Sequence, residues 1–221
     1  MPRPYVTRGH FKPMIADYIK PIELRQVISR YCDPTDALVN DFEAVARLVC
    51  VKKEEALVRQ GELCTDFIIN RCGLFRVSCV TDGKEDTLLF GTSGDVFTSL
   101  HSYYAGEPAV FSLVAVQDSE AWMISYDDMR RLEADHPVMV KWMRDLLVEQ
   151  MFGFEKRYIY NNNKSAEERL LNFMRVCSGN LRRPSVKHIS SIAPLKYIAQ
   201  YLKITQSTLS RLRNKLAKTE W

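Results

Sequence analysis

Residues 194–216, PLKYIAQYLKITQSTLSRLRNKL, read as two short amphipathic helices joined by a tight turn. Pro194 opens the first helix, where a missing N–H costs nothing, and Ile198, Tyr201 and Leu202 form its inner face. Thr205 stands where a side-chain oxygen caps the second helix, whose inner stripe is Leu209, Leu212 and Leu216. Ala199 is small where the helices approach, and Leu209 is the apolar plug between them. This is the pattern of a helix-turn-helix, with one departure: the turn position that usually carries Gly is Lys203.

The outward residues at the start of the second helix are Gln206, Ser207, Ser210 and Arg211. Such short or planar hydrogen-bonders suit base edges in a major groove, where Arg takes guanine O6 and N7 together and Gln takes adenine N6 and N7. Lys203, Thr205, Arg213, Lys215 and Lys218 surround them as expected phosphate contacts, which hold position and carry no sequence information. The charge distribution points the same way. From Lys164 to Trp221 there are 12 Lys and Arg against 3 Asp and Glu, whereas the first 163 residues carry 19 against 24. A basic last quarter on an acidic body implies a polyanionic partner there.

Working outward, Asn161-Asn162-Asn163 reads as a hinge and Ser165 to Glu168 as a capping box that restarts a helix, which stops at Ser178-Gly179. Before the hinge, a long helical pattern runs from Pro137 to about Tyr160, with Met139, Met143, Leu146, Leu147, Phe154 and Tyr158 at three- and four-residue steps. A stripe this narrow suits a second copy of the same helix; the alternative is one helix packed on its own sheet domain. A short helix, Asp127 to Asp135, precedes it.

From Val49 to Tyr126 the period shortens. Candidate strands are Ala56–Val58, Phe67–Ile69, Leu74–Val77, Thr87–Phe90, Phe111–Val116 and Ala121–Ile124, separated by turns with glycines at 61, 73, 83 and 94. Strands at this spacing indicate an antiparallel sandwich or roll. The fold class is therefore α+β, with three parts: a roll with flanking helices over 1–136, a dimerisation helix and hinge over 137–163, and a helix-turn-helix domain over 164–221.

Several classes are not expected. No apolar run is long enough for a membrane span, and Met1 to His10 lacks the apolar core of a secretion signal, so the expected location is the cytoplasm. The six cysteines, at 32, 50, 64, 72, 79 and 177, form no CxxC pair and read as free thiols. No Gly-rich phosphate loop, HExxH pattern or nucleophile elbow suggests an enzyme.

Taken together, residues 35 to 218 resemble the CRP/FNR family of bacterial transcription regulators, whose order is β-roll, dimer helix, hinge, helix-turn-helix. The residues carrying this are Gln60-Gly61-Glu62, Phe67-Ile68-Ile69 through Gly73, Gly94-Asp95, Ile124-Ser125-Tyr126, Pro137, Arg169-Leu170 and Ile198-Ala199-Gln200 through Arg211. The resemblance implies a homodimer on a palindromic double-stranded DNA operator, RNA polymerase as a further partner, and an effector bound in the roll. The expected effector pocket comprises Gly94, Asp95, Val96, Phe97, Ala109, Val110 and Phe154. Members that bind cyclic nucleotides place an Arg-Ser pair at the phosphate; here those positions are Ala109 and Val110, so tight cyclic AMP binding is not expected. With only Cys32 near the N-terminus, a four-thiolate iron–sulfur cluster is not expected either. Haem stays open, with His10, His101 or His136 as axial ligand. The family's β-hairpin wing has no counterpart after the second helix, so little or no C-terminal wing is expected; Ser185 to Ile189 is the strand-like stretch before it. A competing reading makes the chain a sensor whose helical tail binds a protein partner instead of DNA.

Overall fold

The structure, a computed structural model, describes residues 20–177, 189–190 and 192–219. Expectations resting on Met1 to His10, on Ser178-Gly179 and on residues 185–188 lie outside them.

Two short helices, α1 (Leu24–Ile28) and α2 (Asp36–Val45), precede eight strands. These are β1 (Arg47–Val51), β2 (Ala56–Val58), β3 (Asp66–Cys72), β4 (Phe75–Thr81), β5 (Lys84–Gly91), β6 (Val96–Phe97), β7 (Ser112–Ala115) and β8 (Ser119–Ser125). A π-helix, His101–Ala105, lies between β6 and β7. The strands form two four-stranded antiparallel sheets, ordered β1-β8-β3-β6 and β2-β7-β4-β5, so the expected roll is present. Phe67, Ile68 and Ile69 of β3 are all buried in the core, and in the ladder with β8 Phe67 lies opposite Ile124 and Ile69 opposite Trp122. The four turn glycines all adopt positive φ. At Gly73 the requirement is twofold, since a Cβ there would also run into Ser119 at the start of β8.

Two strands escape the sequence pattern. β6 is two residues long, and β1 is an edge strand with Arg47, Leu48 and Cys50 exposed, so neither shows a clean alternation.

Helix α3 (Tyr126–Asp135) is capped by Ser125, whose hydroxyl accepts from the Asp128 amide at 3.1 Å. Helix α4 (Val138–Asn163) has 26 residues, roughly 39 Å of rise. Its apolar stripe is divided between two surfaces. Met139, Trp142, Met143 and Leu146 are buried in the roll's own core, where Trp142 meets Tyr31 and Phe42 edge-on. Val140, Val148, Met151, Phe152, Phe154, Tyr158 and Ile159 remain exposed. Of the residues expected to face a second copy, Met139, Met143 and Leu146 are thus largely used by the chain itself, while Phe154 and Tyr158 stack on each other at the surface.

The hinge also shifts. Asn161 to Asn163 stay helical, and the break falls at Lys164-Ser165. The reason is that the last carbonyls of α4 find a partner: the Arg169 guanidinium donates to Asn161 O at 2.8 Å and Lys164 O at 3.1 Å. Helix α5 (Ala166–Cys177) then starts on the expected capping box, with Ser165 Oγ accepting from the Glu168 amide and the Glu168 carboxylate accepting from the Ser165 amide. Helices α6 (Leu195–Tyr201) and α7 (Gln206–Thr219) complete the described chain.

Candidate nucleic-acid interface

Helix α6 buries Tyr197, Ile198 and Ala199, and Leu202 follows them inward. At Ala199 the absence of a larger side chain lets the chain fold back, and the Ile204 amide donates to Ala199 O at 3.0 Å. Lys203 adopts φ +54°, the left-handed conformation in which most helix-turn-helix turns carry glycine. A lysine is held there at a cost of about 1–2 kcal/mol. Thr205 Oγ1 accepts from the Thr208 amide at 3.1 Å and so caps α7 as expected. Leu209 is fully buried, with Leu212 and Leu216 half-buried beside it.

This leaves Gln206, Ser207, Ser210 and Arg211 exposed as one row along the first two turns of α7. Arg211 makes one long contact, 3.4 Å to Thr208 Oγ1. The surrounding basic residues are differently engaged. Lys218 is exposed, Arg213 is half-buried, Lys215 pairs with Glu167 at 2.6 Å, and Lys203 pairs with Asp86 of β5 at 2.9 Å.

The Lys203–Asp86 pair belongs to a contact that sequence reasoning missed. Gln200 accepts from Thr87 Oγ1 at 2.7 Å and donates to Glu85 O at 2.9 Å. Lys196 lies 3.7 Å from the Glu85 carboxylate, and the Tyr197 hydroxyl donates to Glu54 at 2.7 Å. Beneath them Arg76 is buried, bonds Glu85 at 2.7 Å and lies 4.0 Å over the Tyr197 ring. Burial would raise the Glu85 carboxyl, but the Arg76 hydrogen bond and charge, with Lys196 and Gln200 behind them, hold it below the ordinary glutamate range. Towards α5 the contact becomes apolar: Phe90 packs on Phe173 and Tyr201, and Leu74 and Val116 join Leu170 and Met174 in one core. Partners more than 110 positions apart leave no local signal, so only the fold reveals them.

On the roll, the expected effector residues fall into separate networks. Gly94 lies under the Arg30 guanidinium, which donates to Gly94 O at 2.6 Å, and Asp95 closes its own turn on Thr92. Val96 and Phe97 are buried; the Val96 carbonyl accepts from Gln150 of α4 at 2.9 Å, and the Phe97 ring fills the space beside Gly91. Ala109 is buried and bonded through its backbone to Gly61 and Glu62, whereas Val110 and Phe154 are exposed. The loop carrying Ala109 ties back to Ser99 and Ser102, whose hydroxyls bond each other and, from Ser102, Glu107 O. Of the histidines, His101 pairs with Glu107 at 3.3 Å, His136 pairs with Asp41 at 2.8 Å, and His10 lies outside the described residues. An apolar groove of about 540 Å³ runs along α4, lined by Tyr104, Val140, Met143, Leu147, Val148 and Met151, together with Glu133 and Arg144. Among the described residues no helix is long and apolar enough to cross a membrane.

Residues 48–136 match the family model of the cyclic nucleotide-binding domain. Comparison with curated protein sequences finds no match. Solved structures share the fold over most of the chain. The c-di-GMP responsive global regulator CLP of Xanthomonas campestris is 13% identical, with 84% of this chain and 93% of that one covered at a TM-score of 0.67. FixK2 of Bradyrhizobium japonicum is 18% identical, with 79% and 86% covered at 0.66. A protein from Eubacterium rectale assigned to the CRP/FNR transcriptional regulators is 16% identical, with 85% of each chain covered at 0.65. Two of these structural neighbours, CLP and the Eubacterium rectale protein, are described as regulators.

Proposed function

We propose that this chain, a cyclic nucleotide-binding-type roll carrying a helix-turn-helix in the fold of the CRP/FNR regulators, is a homodimeric, sequence-specific DNA-binding transcription regulator. The observation that carries the reading is the exposed row Gln206, Ser207, Ser210 and Arg211 on a helix fixed by the Thr205 cap and the Lys203 turn. Lys203, Thr205, Arg213, Lys215 and Lys218 serve the phosphates. The exposed apolar residues of α4, continuous with the groove along it, support pairing with a second copy, which a palindromic operator requires. A cytoplasmic location and recruitment of RNA polymerase complete the reading. The effector is not cyclic AMP.

A mobility-shift assay across a salt series, on a library of randomised sites, tests it. Binding should select one two-fold-symmetric sequence, and the logarithm of affinity should fall linearly with the logarithm of salt. Arg211→Ala should relax the selected sequence at one base pair of each half-site, a loss of about 1–3 kcal/mol of discrimination at each, and keep non-specific binding. Absent or salt-insensitive binding would instead favour a protein partner for the helical tail.

A further inference from the structure

The contact between the roll and the helix-turn-helix is made of the groups that DNA needs. In this motif the first helix crosses the phosphate backbone while the second enters the groove. Lys196 and Lys203 stand at the two ends of α6, and each has a carboxylate of β5 facing it: Glu85 at 3.7 Å and Asp86 at 2.9 Å. Between them Gln200, a further hydrogen-bonder on that face, is held by Thr87 and Glu85 O. The roll therefore presents to α6 a short row of anionic and accepting oxygens, as a DNA strand would.

Two features make the contact reversible. Both lysines are about half exposed, at 57% and 43%, and their acids about 30% and 27%, so these are solvent-screened pairs of modest strength. Secondly, charge is concentrated at one end of the interface. The Phe90, Phe173 and Tyr201 contact and the Leu74 and Val116 core lie towards α5, so the β5 edge can open while the apolar end stays closed.

We propose that the Glu85-Asp86 edge of β5 is an internal competitor for the DNA backbone, holding the reading head to the roll until phosphates displace it. This rests on the DNA-binding reading above. A duplex carries one negative charge per roughly 1.7 Å of axis, so it out-competes two carboxylates once several phosphates are in reach. The acidic edge thereby taxes weak, random encounters more than a full operator contact.

Asp86→Asn removes one competing charge at a partly exposed position and leaves the buried Arg76–Glu85 pair in place. With the variant of the whole chain and a random-sequence duplex, affinity of the dimer should rise by about two- to thirtyfold, the size of two exposed ion pairs. The logarithmic salt slope should steepen by about 1.8, one freed lysine in each protomer of the dimer. In the wild-type protein, adding DNA should speed amide exchange over residues 84–91. If the wild type binds DNA but the variant shows equal or weaker affinity, or if exchange in β5 is unchanged by DNA, the competitor role is overturned and the DNA-binding reading stands. Should neither protein bind any DNA, the DNA-binding reading fails and the competitor role falls with it.

Discussion

At Ala109 and Val110 the difference from a nucleotide-binding roll is one of single side chains. Neither residue can neutralise a phosphate, and neither can donate a charge-assisted pair of hydrogen bonds to it. Ala109 is already bonded through its backbone to Gly61 and Glu62, and Val110 points to solvent, about half exposed. Calorimetry with cyclic AMP should accordingly show no saturable heat up to millimolar ligand, and micromolar binding would sink this prediction. The Arg30 guanidinium lies over the other expected effector residue, Gly94, and is bonded inward there, to Gly94 O and Ser93 O. Lys203 is the contrasting residue. Its left-handed backbone was legible from the motif alone, because the turn demands that conformation whatever side chain occupies it. Its partner Asp86 was not legible, because that pairing depends on how two parts of the chain dock.

Among the elements, α4 shows most plainly where periodicity stops being informative. Its three- and four-residue steps identify the helix, and they say that some stripe is buried. They do not say against what. Trp142 and Leu146 turn out to anchor the helix to its own roll, while Val148 and Met151 lie on the open side. A charge in each place should therefore act differently. Met151→Glu should yield folded monomers in sedimentation with an unchanged circular dichroism spectrum. Leu146→Asp should unfold the roll, since it buries a carboxylate without a partner at a site only 3% exposed. A stable dimer of Met151→Glu would move the interface elsewhere. Six of the eight strands were readable for a related reason: their alternation and turn glycines are local. β1 and β6 were not, because an exposed edge and a two-residue bridge are defined by their neighbours.

For the molecule as a whole, the ionised Glu85 carboxylate, held down mainly by Arg76 of the roll and secondarily by Lys196 and Gln200 of the head, is one of the groups joining the two parts. Its carboxyl lies below the ordinary glutamate value when folded, so its contribution is fully present above that value, about 4.3, and is lost as pH falls through the lower folded one. Small-angle scattering should thus report a constant shape between about pH 5 and 8 and an opening only in stronger acid. An opening near pH 6.5 would assign control of the docking to some other group. The charge contrast along the sequence foretold a basic head and an acidic body; that the two would lie against one another was left to the tertiary structure.

The corner at Lys164-Ser165 gives this docking its mechanical character. Arg169 closes the end of one helix, Ser165 and Glu168 close the beginning of the next, and the Tyr160 hydroxyl reaches across to Glu168 O at 3.1 Å. Such a joint resists gradual bending, because any intermediate angle strands several of these groups at once. It should therefore act as a detent, the head changing position by a click between discrete poses instead of bending gradually.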